Sequence, residues 1–251
     1  MLRSLKVQES LSVMNRAELL TSVAEGSCII ALFGYFFYRS RIITLLLIPA
    51  IFPYLLHKAK RIRDKKRKEL LMQFKEMLGS VTGSIQAGYS IENAFLEADR
   101  DMKQLFGPDA EIVKELGIIR KGIENNHDII LMLRQFASRS GVEEIESFAG
   151  ILDYGRRSGG NITANITAFV RVIEEKAGVL LEIETMVSAR RFEQKIMSII
   201  PFGIIFYVEL GNKGFFNILY HNLPGNLIMT AALVIYLLSV YLSEKITDIA
   251  I

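Results

Sequence analysis

Between residues 57 and 195 the apolar positions recur at steps of three and four, and nowhere do they alternate for long. Leu70/Leu71, Phe74, Met77/Leu78, Val81 and Ile85 form one stripe, the spacing that gathers side chains on one face of an α-helix. A second helix follows over about 91–104, and Phe106-Gly107-Pro108-Asp109 breaks it. Asp109 is placed to cap a third helix running to about Glu124; Asn126 or Asp128 can open a fourth that ends near Ser140-Gly141, and a fifth covers about 142–157. From Asn161 to Lys195 no proline intervenes, and Ile162, Ile166, Phe169, Ile173, Ala177, Leu180, Ile183 and Val187 keep the helical step. The pattern predicts an all-α fold, a six-helix bundle whose first and last helices run on into apolar flanks.

Two of the corners are alike. GSIQAGYSIENAF at 83–95 and GRRSGGNITANI at 155–166 each lead a helical stretch into glycine, a short polar residue, Ile and a new helical pattern. Gly88, Ser90 and Ile91 match Gly159, Asn161 and Ile162 in order and spacing, with Gly160 inside the second corner. Glycine past a helix end takes the left-handed conformation without a Cβ penalty, and Ser or Asn caps the free N–H groups of the next helix.

The flanks are of another kind. Residues 42–56 and the long run 214–243 carry no charge. Four membrane spans are expected, at about 19–38, 42–56, 196–210 and 227–242. Several are short against the ~20 residues of a perpendicular crossing, with tyrosines near their ends to extend them. The chain then divides into an N-terminal membrane hairpin (1–56), a central helical domain (57–195) and a C-terminal membrane hairpin (196–251).

Charge gives this arrangement a direction. Residues 57–68 hold eight Lys or Arg against one Asp, whereas 69–195 hold fifteen against twenty Asp or Glu. A dense basic run directly after an apolar segment is the mark of a cytoplasmic membrane flank, and a nucleic-acid domain would spread its cations over a folded face. The central domain and both termini are therefore expected in the cytoplasm, with membrane lipid and not nucleic acid as the partner of the basic run. The acidic stretch 91–115 has seven acids against three bases, and Glu97, Asp99 and Asp101 within it are a candidate docking face for a partner.

Catalytic chemistry finds little to build on. There is no GxxxxGK[ST] phosphate loop, and His57, His127 and His221 stand far apart in the chain, so neither a paired-His metal site nor a Ser–His–acid triad is expected. Cys28 is the sole cysteine. No catalytic, cofactor-binding or metal-binding residue is assigned, and no cofactor is expected. Glu25 and Glu209 lie in or beside predicted spans, where a carboxylate is costly; each is open to an interfacial reading and to an intramembrane polar role. A transporter or channel subunit using these carboxylates is the alternative function class, and a membrane-bound enzyme a more remote one.

An ordered set of stretches carries a resemblance: Gln73-Phe74, Ala87-Gly88-Tyr89-Ser90-Ile91-Glu92-Asn93-Ala94-Phe95, Phe136-Ala137-Ser138-Arg139-Ser140, Ser158-Gly159-Gly160-Asn161 and Glu193 through Pro201. Over about 70–201 the chain resembles the type II secretion F-domain family, in particular the single-domain inner-membrane platform proteins of tight-adherence pilus systems. That resemblance implies a non-enzymatic, multi-pass platform of the inner (cytoplasmic) membrane that couples a cytoplasmic secretion ATPase to pilin assembly. It also implies partners: the ATPase, pilin subunits, and a paralogous platform subunit or further copies of the chain, since larger members carry two such domains.

Overall fold

Helices make up all the regular secondary structure in the computed structural model, which describes residues 16–34, 51–158, 162–212, 214–215 and 222–247. Eight α-helices lie among the described residues: α1 Arg16–Phe33, α2 Ile51–Gln86, α3 Ile91–Phe106, α4 Glu111–Glu124, α5 Ile129–Ser140, α6 Glu143–Ser158, α7 Ile162–Gly211 and α8 Leu223–Thr247. The chain divides into two compact units. One is Asp64–Leu181; the other combines the residues up to Arg63 with those from Glu182 onward.

The core of the 64–181 unit is built from the helical stripes. Leu70, Leu71, Phe74, Met77, Leu78 and Val81 of α2 are buried together with Phe95 of α3, Leu116 of α4, Phe136 of α5, Phe148 of α6 and Ile166 and Ile173 of α7. Aromatic rings join at its centre. Phe148 meets Phe74 edge-on at 5.8 Å, stacks on Phe169 at 5.6 Å and lies tilted to Phe95 at 6.4 Å, while Phe74 also meets Phe136 at 6.4 Å. Each such ring contributes roughly 1.5–3 kcal/mol through burial, and edge or offset contacts add to it.

The Gly88 corner closes α2 in a Schellman arrangement: Tyr89 N–H reaches the Ser84 carbonyl at 3.1 Å and Gly88 N–H the Ile85 carbonyl at 3.0 Å. Gly88 has φ +94°, and Ser90 then caps α3 by accepting from Asn93 N–H at 3.3 Å. Gly88→Val is expected to destabilise by ~1 kcal/mol or more beyond Gly88→Ala, because β-branching adds to the strain of positive φ; paired thermal melts of the two variants check this. Gly159, Gly160 and Asn161, the second expected corner, lie outside the described residues.

Two caps differ from the sequence reading. Asp109 does not cap α4: the N-cap is Ala110, whose side chain has nothing to offer. The missing acceptor comes from 39 residues away, where the buried Gln73 takes the Ile112 N–H on its Oε1 at 3.2 Å. Of the two proposed starts for α5, Asp128 is the cap, accepting from Ile130 N–H at 3.1 Å. Asn126 instead closes α4, at φ 59° with His127 N–H on the Gly122 carbonyl. α5 ends at Gly141, φ +66°, where any Cβ would collide with the Arg67 guanidinium.

The second unit is organised around apolar helices that are not buried. Among the described residues two helices are long and apolar enough to cross a membrane: α7, and Pro224–Ser243 within α8. The expectation of four spans is thereby reduced to two. α1, which covers 16–33, carries Arg16 and Glu18 ahead of the expected first span and Glu25 within it, and residues 35–38 of that span and 42–50 of the expected second lie outside the described residues. Pro224 and Gly225, ahead of the expected fourth span, lie in the first turn of α8; Pro fits a first turn because its missing N–H would be unpaired there anyway.

Candidate functional site

The apolar stretch of α7 is the first functional surface. Ile196, Met197, Ile199, Ile200, Ile204, Phe206, Tyr207 and Leu210 are exposed, and the most apolar window of the helix has none of its residues buried. Leu227, Ile228, Val234, Ile235, Leu237 and Leu238 of α8 are exposed likewise. A water-facing surface of this extent is disfavoured, and contiguous apolar faces mark partner or lipid contact.

Pro201 interrupts the helical bonding inside α7, because it has no N–H to donate. Close by, Tyr236 of α8 donates its hydroxyl to the Ser198 carbonyl at 2.8 Å, and its ring meets Phe202 edge-on at 5.6 Å. The only polar atom of the tyrosine side chain is thus satisfied within an apolar setting, as a lipid environment requires.

Glu25 does not stand alone. Lys58 of α2 donates to its Oε2 and forms an ion pair with it, and the Tyr54 hydroxyl lies 3.4 Å from the same oxygen. The Lys58 ammonium also sits 5.9 Å from the Tyr54 ring centroid. Glu209 lies half-buried near the end of α7. The hydrogen bonds and ion pair of Glu25 go to Tyr54 and Lys58, not to Glu209.

The acidic face is the element the structure corrects. Asp99 is only 2% exposed; it pairs with Lys103 one turn on and with Arg120 of α4 at 3.3 Å. It is an internal ionic tie between α3 and α4 and cannot present itself to a partner. Asp101 is exposed and accepts from Ser80 at 2.5 Å, and Glu97 is half-buried against Arg100 at 2.7 Å. Glu97 and Asp101 alone remain of the three.

Arginine forks fasten the rest of the bundle. Arg156 grips Asp128 with both terminal nitrogens at 3.0 Å, Arg157 holds Asp153 at 2.9 and 3.0 Å, and Arg139 reaches both oxygens of Glu115. Bidentate geometry makes these the stronger kind of pair. The Arg156 hydrogen bonds hold the Asp128 carboxyl below its ordinary pKa, with the Ile130 N–H assisting against partial desolvation. A folded-state value below the unfolded one stabilises above the unfolded pKa and is lost as pH falls through the folded value. Acidification from neutral to below ~3.9, the ordinary Asp value, is therefore expected to cost the wild type more stability than it costs Arg156→Gln. Denaturation midpoints of both proteins across that range measure the difference.

Among the described residues no group of three His, Cys, Asp or Glu side chains is arranged to hold a metal ion. No protein-family model, curated protein or solved structure matches the chain.

Proposed function

We propose that this chain is a non-enzymatic inner-membrane platform of a tight-adherence pilus or related type II secretion machine, coupling a cytoplasmic secretion ATPase to pilin assembly. The observation that carries the proposal is α7. One helix supplies Ile166, Val170, Ile173, Ala177 and Leu180 to a packed interior and, further along, presents an uncharged apolar segment at 196–208 that contains Pro201. A single element that is core at one end and lipid-compatible at the other links a folded bundle to a membrane segment by continuous helix. The ordered corners of the resemblance, with Gly88 and Ser90 in the capping roles they imply, support the same reading.

The basic flank at 57–68 supports a cytoplasmic central domain with both termini on that side. In this account the ATPase meets the bundle partly through Glu97 and Asp101, pilin subunits meet the apolar helices, and a paralogous subunit or further copies complete the platform. The transport alternative is weakened at one of its two carboxylates, because Glu25 is committed to Lys58 and Tyr54.

The test uses the full-length chain in proteoliposomes with a hexameric secretion ATPase from the same cell. Wild type is expected to bind the ATPase and raise its ATP turnover. Glu97→Lys with Asp101→Lys is expected to weaken binding at low salt by about two- to fivefold per reversal, the scale of exposed charge pairs, and to approach wild type at high salt. Absence of any wild-type association, together with solute flux abolished by Glu209→Gln, would favour the transport reading.

A further inference from the structure

Immediately after its uncharged first residues, α2 carries Lys58, Lys60, Arg61 and Arg63 within a few positions, with no acid among them. At 3.6 residues per turn these four spread round the whole circumference of the helix, so they form a collar and not a one-sided face. Lys58 is engaged by Glu25. Lys60 is exposed and forms no ion pair with any described residue. Arg63 is half-buried, and its Nε is hidden from solvent with no acceptor among the described residues. A buried Nε–H calls for an acceptor, and no described residue supplies one.

We propose that this collar is a binding surface for the phosphate headgroups of anionic phospholipid, a site that rests on the membrane reading above. The chemistry fits in three respects. Arginine forks take phosphate oxygens bidentately, and lysines add mobile point charges. The residues before the collar, 51–56, are uncharged and apolar, which sets the cations where headgroups begin. Finally, cations on more than one side of a helix suit the headgroups of a lipid surface, whereas groove recognition of nucleic acid needs them on one face.

The experiment uses the full-length chain in nanodiscs of phosphatidylcholine alone or mixed with phosphatidylglycerol, measuring the relative association of fluorescent phosphatidylglycerol and phosphatidylcholine. Wild type is expected to prefer the anionic lipid, with the preference shrinking as salt is raised. The variant Lys60→Gln, Arg61→Gln, Arg63→Gln, which leaves the Lys58–Glu25 pair in place, is expected to lose about fivefold in preference for each cation removed. Removing as many charges from the bundle, by Lys114→Gln, Lys121→Gln and Arg171→Gln, is expected to leave the preference intact. Insertion into both kinds of disc with no anionic preference, or a preference that survives the triple variant, overturns the lipid site and leaves the membrane reading standing. Failure to enter either disc overturns both. Salt-sensitive binding of duplex DNA through the same three cations, without lipid preference, makes the collar a nucleic-acid contact and overturns the proposal.

Discussion

Phe148→Ala is expected to lower the unfolding free energy by ~3–5 kcal/mol, the range for removing a fully buried aromatic ring. Phe148 has no exposed surface and touches the rings of Phe74, Phe95 and Phe169, which come from three other helices. Deleting it opens a cavity that those helices, held by their own contacts, can fill only in part. Chemical denaturation of the full chain in detergent, followed by circular dichroism, measures the loss. Leu105→Ala, at a side chain 59% exposed, is the comparison and is expected to stay within ~0.5 kcal/mol. A Phe148→Ala loss no greater than that of Leu105→Ala would remove the ring cluster as the centre of the bundle.

The second large effect separates lipid from water as the surroundings of α8. Val234 lies near the middle of the Pro224–Ser243 segment and is 49% exposed. In water, arginine at such a position would be close to neutral. At the centre of a crossing helix it is expected to cost ~2.5–3.5 kcal/mol in insertion. Val234→Arg should therefore lower the fraction of chain recovered in carbonate-washed membranes, while Lys245→Gln at the end of the same helix should leave it unchanged. Equal membrane recovery for Val234→Arg and wild type would place α8 outside the bilayer.

Much of this architecture is legible in the chain because local signals and packing agree. The 70–85 stripe is read correctly since Leu70, Phe74, Met77, Leu78 and Val81 are spaced as a buried helical face is. The Gly88–Ser90 corner is read correctly because both of its caps are local hydrogen bonds. What escapes is tertiary. The cap on α4 comes from Gln73, and no window around Asp109 contains that residue. Asp99 shares a buried face with Phe95, Ala98 and Met102 at helical spacing, and a count of local negative charge does not register that face. The Lys58–Glu25 and Tyr236–Ser198 links join segments 33 and 38 residues apart, and sequence spacing gives no register between such segments. The span count differs for a simpler reason: of the expected first span only the part up to residue 34 is described, with Glu25 inside it, and most of the second lies outside the described residues.

The central claim is that the helical bundle stays in the cytoplasm while α7 carries the chain across the membrane. A reporter active only in the cytoplasm, fused in turn after Lys68, Asn217 and Lys245, tests it most directly. The account predicts signal after Lys68, none after Asn217, and signal again after Lys245. Strong signal after Asn217 would mean that α7 does not cross, and would contradict the platform built on it.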